Sequence, residues 1–345
     1  MSMPAVVRRF VLPLLAAAAW SAPCLISAQT NYQVIDQWKI GGDGFWDYLT
    51  VDPAAKRLYI THGQKVDIVD TTSGKVTGQV TGLHGIHGVA LDPAGKYGYI
   101  SDGGGNAVVV FERSAGTTVA TIAAGTNPDA IIYEPATKTV WAFNGRSKDA
   151  TVIDTATNKV VATIPLPGKP EFAQVDGQGN VYDNIEDKNE IVKLDAHTNK
   201  LVATWPIGCD SPSGLAIDTA GHRLFSVCDG KKMAVTDYAS GKQLAAPAIG
   251  DGPDAAGWNA KDKLAFASCG EGVLSVVNAG DEKYPTVQTV TTTRGARTMT
   301  YDATNDRIYL VTAEFGPRPA PTADNPRPRP TILPGSFTVI VVGRK

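Results

Sequence analysis

The chain has 345 residues, 43% of them hydrophobic, with 32 Lys+Arg against 34 Asp+Glu and four cysteines. That is enough apolar material for a large core, while a mildly acidic balance without basic runs lacks the electrostatic footprint of a protein that tracks phosphate backbones, so nucleic acid is set aside as a partner. No segment reaches the roughly 20 apolar residues of a membrane-spanning helix; a small molecule or another protein is the expected partner, and a monomer the expected state.

In chain order, Arg8 and Arg9 precede the apolar run FVLPLLAAAAW, and the small residues of SAPCLISAQT follow. This is the layout of a secretory signal peptide, expected over residues 1–28 with cleavage after Ala28, and it predicts a periplasmic or secreted protein. Cys24 follows Pro23 outside any lipobox and leaves with the signal. Without Arg8 and Arg9 the remainder, 29–345, holds 30 basic against 34 acidic side chains, a net charge of −4.

The next stretch, YQVIDQWKI, reads as an outer strand with no sheet before it. From there the chain repeats itself. An acid closes the third strand of each unit at Asp70, Glu112, Asp154, Asp195 and Asp237, with Asn278 as a weaker copy, in steps of 41 or 42 residues. A second marker follows the first strand of each unit: Asp52, Asp92, Glu134, Asp176, Asp218, Asn259 and Asp302. Within a unit, short β-branched and aromatic runs alternate with turn residues, as in DAIIYE, PATK, TVWAFN, GRSKD, ATVID, TATN and KVVATIPL. Four strands per period of about 42, with no helical pattern, predict an all-β chain of four-stranded antiparallel blades, a seven-bladed β-propeller. The last unit stops after its third strand, SFTVIVVG. Pairing it with YQVIDQWKI would close the ring and leave no exposed edges there. One domain is therefore expected over 29–345, interrupted by the segment from Gly316 to Gly335, whose seven prolines forbid helix and strand and favour an extended excursion, either a surface insertion or a lid over the axis.

Five residues before each second marker stand Asp47, His87, Asp129, Glu171, Ser213, Asp254 and Arg297. The innermost strand of a propeller blade lines the axis, so these seven polar residues are expected to ring one mouth, with Trp46 and Phe172 beside them. Such a ring is either a water-filled channel lining or a binding site. The four carboxylates, offset by Arg297, would raise one another's pKa unless a cation neutralises them, which makes Asp47, His87, Asp129, Glu171 and Asp254 candidate ligands of a divalent cation. The oxygen-rich set suits Ca²⁺ or Mg²⁺; His87 with two acids suits Zn²⁺, ranked lower because no compact HxH or HExxH spacing accompanies it. His62 and His84 should lie on the same face, His197 and His222 on the other. Cys209 and Cys228 flank a predicted hairpin of the fifth unit, where an oxidising compartment favours a disulfide, with Cys269 as the spare. There is no nucleophile elbow, P-loop, CxxC pair or haem motif.

YITH, YISD and YLVT, at the second-strand position, together with DTATNKVVATI leading into the next unit, resemble the YVTN β-propeller repeat family, and the likeness extends over nearly all of 29–345. Within it the chain is similar to the YncE-like exported propellers of bacteria. The resemblance implies a periplasmic propeller but no single chemistry, since its wider superfamily includes binding scaffolds, cofactor-enzyme subunits and some enzymes. The expectation is a scaffold binding a small ligand or protein at its axial face; the alternative is a metal-dependent, lactonase-like hydrolase, by analogy with propellers that carry a metal at this mouth. A quinoprotein-like dehydrogenase ranks last because its tryptophan-rich repeats are missing.

Overall fold

The computed structural model describes residues 1–3, 31–322, 328 and 330–345. Residues 4–30, with Arg8, Arg9, Cys24 and Ala28 of the expected signal peptide, lie outside the described residues, as does part of the proline-rich segment.

Seven four-stranded antiparallel sheets stand around one axis. Blade 1 runs Trp46–Asp52, Arg57–His62, Lys65–Asp70 and Val76–Val80 from axis to rim, and blades 2 to 6 repeat that order. Blade 7 takes Met299–Asp302, Arg307–Thr312 and Thr338–Arg344 from the C-terminal end and Tyr32–Lys39 from the N-terminal end. Tyr32 pairs with Arg344 and Lys39 with Thr338, while Trp46–Asp52 packs beside Met299–Asp302. The ring thus closes as the repeat predicts. The only helix among the described residues is a 3-10 turn, Glu186–Lys188, and none is long and apolar enough to cross a membrane.

Both series of acidic markers are explained by turn chemistry. Every marker but Glu112 sits where a strand ends and accepts a backbone N–H two or three residues on, an arrangement that Asp and Asn side chains reach without strain. Asp52 takes Ala55, Asp92 takes Ala94, Asp176 takes Gln178, Asp218 takes Gly221, Asn259 takes Asp262 and Asp302 takes Thr304. Glu134 does the same for Thr137. The outer series repeats it with Asp70, Asp154, Asp195, Asp237 and Asn278. Two residues into each second strand comes a buried aromatic, namely Tyr59, Tyr99, Trp141, Tyr182, Phe225, Phe266 and Tyr309. Several of these reach the next blade, as Tyr59 does against Phe111, Phe225 against Trp258 and Phe266 against Tyr301, at centroid distances of 5.0–5.8 Å. Stacked blades bury the faces that one sheet would leave wet.

The described ends of the proline-rich segment are joined. Phe315 bridges Ile332, and Gly316 N–H donates to Thr331 O at 2.8 Å. At its base, Phe315 and Phe337 pack on Trp46 with centroids 6.0 and 5.3 Å away.

Candidate functional site

Polar side chains of neighbouring blades set the axial ring by holding its backbone. Thr61 Oγ1 donates to His87 O at 3.1 Å, Ser101 Oγ to Asp129 O, Asn184 Nδ2 to Ser213 O at 2.7 Å, and Ser268 Oγ to Arg297 O. These donors share one position, two residues beyond the buried aromatic, and are the third letters of YITH and YISD. Between blades 5 and 6 the ring supplies its own tie, Ser213 Oγ to Pro253 O at 3.1 Å. A buried carbonyl must be paired, so each tie fixes where the next ring residue begins.

All seven predicted ring residues open on one cavity of about 810 Å³, together with Trp46. Phe172 lies behind the lining, its ring 4.6 Å from that of buried Tyr48. His84 lines the cavity and bonds Asp102 at 3.1 Å. His62 ends its strand opposite Trp46 on this face, but it is buried, bonded through Nδ1 to Asp67 at 2.9 Å and stacked on Phe337. His197 and His222 take no part in the lining.

Sequence reading missed Lys169, Glu186, Ser211 and Asp229, which also line the cavity. A signal was there for two of them. Four residues beyond each buried aromatic, blades 1, 2, 3 and 6 have Gly63, Gly103, Gly145 and Gly270, and blade 7 has Ala313, whereas blades 4 and 5 carry Glu186 and Asp229. Two acids among five small residues mark a departure from the repeat toward the mouth.

The charges fall into three groups. His87 Nδ1 lies 2.7 Å from Asp47 Oδ2 and 3.5 Å from Asp129 Oδ1. Arg297 Nε is 3.2 Å from Asp254, and Lys169 Nζ is 3.0 Å from Glu171 and also pairs with Glu186. Of the five ligands expected from sequence, the structure gathers Asp47, His87 and Asp129, with ligand atoms all within 4.8 Å of one another; Glu171 and Asp254 stand apart with their own cations.

Burial dominates the electrostatics. It raises Asp129, Glu171 and Asp254, whose carboxyls are pushed up to about 7 even though His87, Lys169 and Arg297 respectively pull them down. Burial would lower His87, but the hydrogen bond to Asp47 and the charges of Asp129, Asp47 and Glu171 outweigh it and push the imidazole up to about 9. At neutral pH His87 is therefore an imidazolium. Beneath the mouth, Asp183 is fully buried, where blades 1 to 3 have Ile60, Ile100 and Ala142; burial raises it well above the usual carboxylate range, against a weaker pull from the Glu171 backbone.

Cys209 and Cys228 form the expected disulfide, Cα atoms 5.9 Å apart, and Cys269 is a buried free thiol. The bridge joins the first two strands of blade 5 beside Ser211, Ser213 and Asp229 of the mouth. Closing a 19-residue separation, it contributes about 3 kcal/mol by loop entropy. Such a bond is consistent with an exported protein.

The fold and mouth define a seven-bladed β-propeller with a polar axial cavity. No protein-family model matches the chain. It is 28% identical over 148 residues to the uncharacterized protein YncE of Salmonella typhi, and equally to that of Salmonella typhimurium strain LT2, a match over 41% of this chain and 42% of each relative. The match thus spans under half the length of these curated relatives. Among solved structures it is similar to Kuenenia stuttgartiensis hydrazine synthase, with TM-score 0.68, 18% identity and coverage of 79% of this chain and 92% of that one. It is also similar to U3-55K, with TM-score 0.72, 10% identity and coverage of 90% and 98%. At those identities the likeness is one of fold.

Proposed function

We propose that this propeller is a binding scaffold of an oxidising, extracytoplasmic compartment and that its axial cavity takes a small cationic ligand of the amine class. The carrying observation is the cavity's shortage of positive charge. Asp47, Asp129, Glu171, Glu186, Asp229 and Asp254 face only Lys169, Arg297 and the His87 imidazolium, and three of those carboxyls are held near 7. A bound cation lets them ionise fully, so its attraction is greatest where the protein's own charges are least satisfied. A volume of about 810 Å³ suits a small molecule, and Trp46 and Phe45 bring aromatic rings to the lining, a surface that favours ammonium groups.

The hydrolase alternative has less behind it. As a metal-dependent, lactonase-like enzyme it would need, besides an ion in the ring, groups that hold a substrate carbonyl against it, and no residue of the lining points to such a substrate, whereas the excess of carboxylates points to a cation. The test is calorimetric titration of putrescine, spermidine and succinate into chelator-treated protein, beside a Glu171→Gln, Asp254→Asn variant. The amines should bind the parent and lose about tenfold in the variant, as expected when charge partners are removed, while succinate gives no heat. Preference for succinate, or no heat with either amine, overturns the proposal.

A further inference from the structure

Asp47, His87 and Asp129 come from the first strands of three successive blades, so they meet only because the ring stacks those blades side by side. Their atoms form a mixed oxygen and nitrogen set on one wall of the cavity. Asp47 and His87 already share a 2.7 Å contact. Asp129 is different. It opens on the cavity, its carboxylate takes no hydrogen bond among the described residues, and its nearest charged partner is His87 Nδ1 at 3.5 Å. One imidazole nitrogen thus serves two acids at once, Asp47 closely and Asp129 only at 3.5 Å. A divalent ion would serve both.

We infer that Asp47, His87 and Asp129 form a divalent transition-metal site, with Zn²⁺ or Mn²⁺ as the ion and water completing its coordination. The inference rests on the axial-cavity reading and names a resident ion for its blade 1 to 3 side, leaving the Glu171, Asp254 and Arg297 side to the ligand. Imidazole beside two carboxylates favours these ions over Ca²⁺ and Mg²⁺, which prefer all-oxygen sets. Around a tetrahedral ion with bonds of about 2.0–2.2 Å, ligand atoms stand about 3.3–3.6 Å apart. The present spread, within 4.8 Å, therefore closes with side-chain adjustments of about 1–1.5 Å. The backbone of two of the three ligands is fixed from the blade before: Thr61 holds His87 and Ser101 holds Asp129. Such outer contacts keep ligands aimed before the ion arrives.

The experiment titrates Zn²⁺, Mn²⁺, Mg²⁺ and Ca²⁺ separately into the chelator-treated protein, without amines, and measures bound metal after desalting. One equivalent of Zn²⁺ or Mn²⁺ is expected, weakened about tenfold or more in Asp129→Asn and in His87→Gln and unchanged in Glu112→Gln, which removes a carboxylate outside the cavity. Melting curves without metal confirm that each variant is folded, and Asp47→Asn replaces any that is not. No stoichiometric binding of Zn²⁺ or Mn²⁺, or binding that the variants of Asp47, His87 and Asp129 leave intact, overturns the site. Because no amine is present, metal binding can succeed where amine binding fails, and the two readings fall separately.

Discussion

In the second strand of blade 2, Ser101 Oγ accepts from Gly88 N–H at 2.9 Å and donates to the carbonyl of Asp129. One hydroxyl thus joins its own first strand to the ring residue of the next blade. An alanine there would leave two buried backbone groups without that partner, and an unpaired buried polar group costs about 1–3 kcal/mol. Ser101→Ala should therefore destabilise the protein by about 2 kcal/mol in urea titration, whereas Thr61→Ser, which keeps the donor to His87 O, should lie within about 0.5 kcal/mol of the parent beyond the loss of one methyl. If Ser101→Ala were as stable as the parent, the ties would not be what positions the ring. The same serine explains the family-like motif in physical terms. In YISD the aromatic fills the space between blades, the serine ties them together, and Asp102 accepts the N–H of His84 at the mouth.

At the scale of the strand and turn, five third-to-fourth-strand turns place a residue at positive φ four positions after the marker: Gly74, Gly116, Asn158, Asn199 and Gly241, at φ between 54° and 74°. Asparagine tolerates this region nearly as well as glycine, so the repeat alone suggests that Asn and Gly interchange there. The structure separates them. A Cβ on Gly241 would stand 2.2 Å from Trp205 Cδ1, and one on Gly74 2.4 Å from Trp38 Cγ. These tryptophans lie on the fourth strands of the preceding blades and cover the turn. Gly241→Asn should destabilise by about 1–3 kcal/mol through overpacking, and Trp205→Leu in that background should recover part of the loss. Equal stability of Gly241→Asn and parent in urea titration would refute the overpacking account. The period, the strand ends and the ring were legible in the sequence because turn acids and inward-facing polar residues recur at a fixed step. The disulfide was legible because Cys209 and Cys228 flank one hairpin. Lys169, Glu186 and Asp229 were not read, since they stand at or beside strand ends and break the repeat instead of following it. Nor was the burial of His62, whose partner Asp67 lies on the adjoining strand and whose ring is covered by Phe337, 275 positions further on.

For the whole molecule, the mouth sets how stability responds to pH. Glu171 faces Asp129, Lys169 and Glu186, and Asp254 faces Arg297, Asp47, Glu171 and Glu186; burial is the largest influence on both and their carboxyls are raised to about 7. An unfolded carboxyl titrates near 4. Between those values the unfolded chain gives up protons that the folded chain retains, so the contribution of these groups is fully present below about pH 4 and is lost as pH rises through about 7. The turn acids work in the opposite direction: Asp70, Asp154 and Asp195 are lowered, chiefly by hydrogen bonds from their own turns, and favour the fold above pH 4, with the loss coming on further acidification. Metal-free protein should therefore melt highest in mildly acidic buffer and progressively lower as pH is raised from 5 to 8, by scanning calorimetry at constant ionic strength. A Glu171→Gln, Asp254→Asn variant removes two of these titrations and should make that limb shallower, leaving the share of Asp129 and His87, which are also raised, and the acid limb, which the turn acids set, in place. A bound cation should do the same to the parent without mutation, because it favours the ionised carboxylates and binds only the folded ring. A melting temperature that climbs between pH 5 and 8 in the metal-free parent would show that the mouth is well solvated and that its carboxylates ionise without strain on the fold.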